Sequence, residues 1–139
     1  MNEHLIQQVK RHEGFRSKPY FCTAGKTTIG FGRNLDDVGI TEGEASFLLR
    51  NDLSHAYSDL ITNHPWADEL TAPRKEAFIN MVFNLGINRF NQFKKMLAAA
   101  EREQWDECAN QALDSRWAKQ VGNRAVEIAE QLRTGSYVG

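Results

Sequence analysis

The chain has 139 residues, 41% of them hydrophobic, and a formal net charge of −1. That is enough for one domain with a real core, or for two small lobes on one chain, and it excludes global attraction to nucleic acid or to an anionic membrane. No apolar run approaches a membrane span and MNEHLIQQVKRHEGF lacks the apolar core of a signal peptide, so the expected location is the cytoplasm of the producing cell.

Leu5, Ile6 and Val9 recur at helical spacing, which predicts an amphipathic helix over residues 2–13 that Gly14 ends. Residues 18–32 change character. KPYF leads into CTAGK, a turn containing Gly25, and TTIGFG then alternates as a strand does. This is a small antiparallel sheet, too small to stand alone. Thr41-Glu42-Gly43-Glu44 matches a capping box, with Thr41 as N-cap and Glu44 at N3. Ala45, Leu48, Leu49, Leu53, Ala56 and Leu60 form one apolar stripe, and the helix runs to about Asn63, ahead of Pro65.

From there the pattern is helical throughout. Thr71 and Pro73 open a helix whose buried face is Ala77, Phe78, Met81, Val82 and Leu85, closed by Gly86. A further helix carries Phe90, Phe93, Met96 and Leu97. Another carries Trp105, Cys108, Ala109, Ala112 and Leu113. The last carries Ala125, Ile128, Ala129 and Leu132 and stops at Gly135. The expected fold class is α+β, mostly α: a small N-terminal lobe with an antiparallel hairpin, a long connecting helix and a helical C-terminal lobe. A groove between such lobes is the natural ligand site.

The chemistry concentrates in HEGFRSKPYFCTAGKTTIGFG, residues 12–32. Glu13 sits at a helix end, where burial against apolar residues penalises the charged form and favours a general acid. Glycoside hydrolysis needs such an acid, and a second group that activates water on the opposite face of the sugar. A hairpin folding back toward the helix end places Cys22 and Thr28 across a cleft from Glu13, able to hold one water between thiol and hydroxyl. The ordinary readings are a solvated Glu, a small buried Cys and a strand Thr. GKTT also looks like the end of a phosphate loop, but the upstream glycine which that motif needs falls on Tyr20 and no apolar parallel strand precedes it. Cys22 and Cys108 make no CxxC pair and no two His stand at ligand spacing, so no structural metal and no cofactor is expected. A Cys22–Cys108 disulfide is not expected in a reducing compartment.

HEGFR, a PY-containing strand and AGKTTIGFGRNLDDVGIT follow one another in an order that resembles the phage-type lysozymes. AFINMVFNLG, QWDECANQALDSRWAKQ and NRAVEIAEQLRTGSY resemble that family's C-terminal lobe, so the resemblance covers essentially the whole chain. It implies a single catalytic domain over 1–139, with lobes of about 13–45 and 65–139 plus 1–12 joined by a helix over about 42–63. It implies an inverting muramidase that cuts the β-1,4 bond between N-acetylmuramic acid and N-acetylglucosamine in peptidoglycan, a bacteriophage endolysin serving host cell lysis. Glu13 then matches the general acid and Thr28 a threonine that holds the attacking water. Arg124 matches an arginine that pairs with the acid. Phe83 and Asn84 match the wall contacting the glycan, and Gln111 a polar glycan contact.

Cys22 stands where the T-even enzyme has an aspartate, a known variant of the pattern. A thiol ionises near pH 8.5, against about 3.9 for Asp, so a neighbouring cation is expected to lower it, with Lys18, Lys26 and Arg16 close in sequence. The expected partner is the peptidoglycan glycan strand, with no nucleic acid and no stable membrane association. The expected oligomeric state is a monomer, released from the host cytoplasm to the wall through a separate pore. Two competing readings are a lytic transglycosylase that uses Glu13 alone, and a non-catalytic wall-binding or virion component.

Overall fold

The computed structural model describes residues 2–139. They form eight α-helices and one three-stranded antiparallel sheet, and divide into two compact units, Met1–Phe47 and Leu48–Gly139.

In the first unit, α1 (Glu3–Glu13) is opened by Asn2, whose side chain accepts from the His4 N–H at 2.7 Å. Gly14 closes it at φ 74°, where a side chain would be strained, and gives its N–H to Lys10 O. The chain turns directly into β1 (Arg16–Phe21), β2 (Thr27–Gly30) and β3 (Arg33–Asn34), in that spatial order. Tyr20 and Asn34 both pair with Thr28, so these three side chains share one face of the sheet. A bulge between Arg16 and Tyr20 bends β1.

The expected capping box forms as a reciprocal pair. Glu44 N–H donates to Thr41 Oγ1 at 3.1 Å and Thr41 N–H to Glu44 Oε1 at 2.8 Å, opening α2 (Glu42–Asn63). Arg33 grips the same carboxylate with both terminal nitrogens, which ties β3 to the start of α2.

The apolar residues of these two helices are largely uncovered. Leu5 and Val9 lie exposed on α1, and of the apolar stripe on α2 only Ala56 and Leu60 are buried. Among the described residues of the first unit, Thr28 alone is fully buried. A short sheet and one helix do not enclose enough volume to cover an apolar stripe.

The second unit holds the hydrophobic core. After a 3-10 helix (Pro65–Glu69), α3 (Ala72–Leu85) buries Ala77, Phe78, Met81 and Val82 as its spacing predicts, while Leu85, expected on the same face, is only half-buried at the helix end. Phe78 meets Trp66 and Phe90 edge-on at 6.4 and 5.7 Å, the favoured geometry for aromatic rings. The single helix expected to carry Phe90 through Leu97 is two, α4 (Ile87–Phe90) and α5 (Lys94–Glu101). Phe93 leaves the helical region at ψ 58°, and its N–H closes a tight turn onto Phe90 O. After α6 (Trp105–Leu113) comes a helix the periodicity does not reveal, α7 (Arg116–Val121). It is short and buries only Trp117. Ser115 caps it by accepting from Ala118 N–H at 3.1 Å. The last helix, α8 (Asn123–Thr134), ends at Gly135 in the left-handed conformation. Arg74 binds that end, donating to Leu132 O at 2.8 Å and Arg133 O at 3.0 Å while lying over Trp105.

Candidate active site

Glu13 is the last residue of α1, and its carboxylate lies against the backbone of Gly32, just beyond β2. A Cβ placed on Gly32 would stand 3.0 Å from Glu13 Oε2. Glu13 is exposed, which corrects the expectation of a burial-tuned acid, because the first unit has no apolar core to receive it.

Cys22 and Thr28 are brought together. Cys22 opens the turn after β1: its N–H donates to Lys26 O at 2.9 Å and its carbonyl accepts from Gly25 N–H at 2.8 Å. Gly25 carries φ 78°, the conformation that this tight turn requires. The turn aims N–H groups back at the sulfur. Those of Lys26 and Ala24 and the Thr28 hydroxyl hold the Cys22 thiol below its ordinary value, against a smaller opposing effect of burial. The expected depression is present, but its source is corrected. Backbone amides supply it, while Lys26 pairs with Asp37 at 3.3 Å, Arg16 lies over the Tyr20 ring at 4.5 Å, and Lys18 is exposed. Thr28 Oγ1 lies 2.9 Å from Lys26 O, so its one proton is shared between that carbonyl and the Cys22 sulfur while its lone pairs remain available.

The other singled-out residues lie in the second unit, at separate places. Asn84 Oδ1 accepts from the buried Trp117 Nε1 at 2.7 Å. Gln111 donates to Glu107 and lines a cavity of ≈ 540 Å³ together with Phe93, Met96, Ser115 and Trp117, where Lys94, Lys95 and Arg116 supply positive charge. Phe83 is exposed beside a second, ≈ 330 Å³ groove with Asp52, His55 and Asp59. Neighbours on a helix point about 100° apart, which sends Phe83 and Asn84 to different surfaces. Arg124 gives Nε and one terminal nitrogen to Asn80 Oδ1, at 3.0 and 2.7 Å. Asn80 and Trp117 are hydrogen-bond partners of the singled-out residues that the sequence reading missed; nothing in local spacing marks a partner 33 or 44 residues away. Among the described residues no three His, Cys, Asp or Glu side chains cluster as metal ligands would, and no helix is long and apolar enough to cross a membrane.

A mostly helical chain with one small antiparallel sheet is consistent with a lysozyme-like α+β fold. The phage lysozyme family model matches residues 10–133, and the chain belongs to that family: it is a peptidoglycan hydrolase. A probable T4-type lysozyme 1 of Dictyostelium discoideum is 34% identical over 161 aligned residues, covering 95% of each chain. An endolysin of Acyrthosiphon pisum secondary endosymbiont phage 1 is 36% identical over 94 residues, 65% of this chain and 62% of that one. The pre-baseplate central spike protein Gp5 of Enterobacteria phage T4 is 26% identical over 163 residues, which span 97% of this chain but 28% of the spike protein.

Proposed function

We propose that Glu13 is the general acid, and that Cys22 with Thr28 holds and activates the water that replaces the leaving sugar. The observation that carries this reading is the amide-lined turn that sets the Cys22 sulfur beside the Thr28 hydroxyl. Glu13 gives its proton to the glycosidic oxygen as the bond from the anomeric carbon to that oxygen breaks. The held water attacks the anomeric carbon from the opposite face, and its proton passes to the Cys22 thiolate. Anomeric configuration inverts, and exchange with solvent returns both groups to their starting states.

The bond cut is the β-1,4 link from N-acetylmuramic acid to N-acetylglucosamine. Asn84, Gln111 and Phe83 offer contacts to the glycan from separate surfaces of the second unit, where Asn80 also fixes the Arg124 guanidinium. The chain acts as a monomeric endolysin, released to the wall during host lysis. The similarity to a phage endolysin supports that role.

Mass spectrometry of muropeptides released from purified peptidoglycan tests the reading. Reducing muramic ends from wild type, absent with Glu13→Gln, are expected. Anhydro-muramic ends would instead mean a transglycosylase in which Cys22 activates no water. Wall binding without any release would mean a binding module.

A further inference from the structure

Gly32 and Gly30 both lie at the end of the hairpin, at φ 87° and φ 71°. Backbone conformation gives both the same reason to be glycine. Their surroundings differ. A Cβ on Gly30 would meet nothing within 4 Å, whereas one on Gly32 would meet three atoms of Glu13, at 3.0 Å from Oε2, 3.4 Å from Cδ and 3.7 Å from Cγ. The neighbour that must give way at Gly32 is thus the far end of one flexible side chain, the carboxylate assigned as the acid.

From this contrast we infer that Gly32 is a positioning residue: its bare backbone is the surface against which the Glu13 carboxylate rests, and any side chain there displaces the acid. Gly14 sets the other boundary, because it ends α1 directly after Glu13 and fixes where that side chain starts. A capped helix end and a side-chain-free hairpin bound the space that the carboxylate occupies. A displaced carboxylate still folds and still meets solvent, so the effect falls on the chemical step and leaves stability and wall binding alone. A Cβ at 3.0 Å shifts the carboxylate by a few tenths of an ångström, and since about 1 Å at a catalytic group costs on the order of 100-fold in rate, the expected loss is several-fold. The inference rests on Glu13 being the acid.

The test compares Gly32→Ala with Gly30→Ala, Glu13→Gln and wild type on purified peptidoglycan. Both alanine variants carry the positive-φ strain, and only one carries the contact. The expected result is similar thermal midpoints for the two. kcat for Gly32→Ala should fall several-fold below that of Gly30→Ala, with KM unchanged. The carbon resonance of the ¹³C-labelled Glu13 carboxyl should move in Gly32→Ala and stay in place in Gly30→Ala. Equal kcat in the two alanine variants, a rise in KM alone, an unmoved Glu13 resonance, or unfolding of Gly32→Ala alone would each overturn the inference. Full activity in Glu13→Gln would overturn the underlying assignment instead, and the two failures are separate.

Discussion

The indole N–H of Trp117 donates to Asn84 Oδ1 at 2.7 Å, joining α7 to the C-terminal turn of α3. Trp117 is buried, so its single donor depends on that oxygen. Asn84 therefore has a structural employment as well as the glycan-contacting role proposed for it. Its Nδ2 makes no hydrogen bond among the described residues and stays free to donate. Asn84→Ala should destabilise the protein by about 1–3 kcal/mol, the cost of a buried donor left unpaired. Urea denaturation followed by tryptophan fluorescence measures this. A loss of activity without any loss of stability would assign Asn84 to the glycan alone.

The two thiols differ in environment, and alkylation should separate them. Cys108 is fully buried on α6, and burial pushes it up to about 12. Cys22 is partly exposed and lowered by the amides around it. The thiolate is the reactive form. Iodoacetamide on the folded protein should add one group, at Cys22, and abolish lysis. Peptide mapping and a lysis assay check both halves. Lysis that survives complete modification of Cys22 would remove the sulfur from the mechanism.

Activity should rise with pH as Cys22 ionises, and the rise should come below the ordinary thiol range, from which Cys22 is lowered. Thr28→Val removes the hydroxyl and leaves the Lys26 and Ala24 amides in place. Since the Lys26 amide is the largest contributor, the midpoint should move up only part of the way. Ultraviolet absorbance of the thiolate reads the midpoint directly. A complete return to the ordinary value would contradict the leading role of the amide.

The Arg33–Glu44 pair should make the protein sensitive to acid. Both nitrogens of Arg33 and the Thr41 N–H bind the Glu44 carboxylate, which lowers it from 4.5 to about 2. A group depressed in the folded state stabilises above its unfolded value and loses that contribution as pH falls through its folded one. The loss should therefore run from about pH 4.5 down to about 2. Arg33→Ala should flatten that part of a plot of thermal midpoint against pH, and Glu44→Gln should flatten it in the same window.

Phe78 sits at the centre of the aromatic cluster with no exposed surface. Phe78→Ala should cost about 3–5 kcal/mol, the range for removing a fully packed ring. Differential scanning calorimetry reads this as a lower midpoint. A change below about 1 kcal/mol would mean that the site collapses to fill the space.

The capping box at Thr41 and the buried face of α3 were legible because each is a local rule, set by residues three or four apart. So was the grouping of Cys22 with Thr28, since a tight turn folds near neighbours together. The break at Phe93 was hidden because the apolar period continues across it while the backbone does not. Helix α7 was hidden because six residues with one buried side chain carry no periodic signal. The exposed carboxyl of Glu13 and the uncovered stripe of α1 depend on how much volume a small unit encloses, which no window of sequence reports. Asn80 and Trp117 became visible only as partners across the fold.

The sulfur of Cys22 is tuned by peptide groups, and this has a consequence for the rest of the surface. Amide dipoles at hydrogen-bonding distance act at short range and are barely screened by dissolved ions, unlike exposed charges separated by more than about 10 Å. No side-chain exchange elsewhere on the hairpin removes them. Lys18, Lys26 and Arg16 can thus drift in sequence, and the medium can run from dilute to saline, while the ionisation of the thiol keeps its setting.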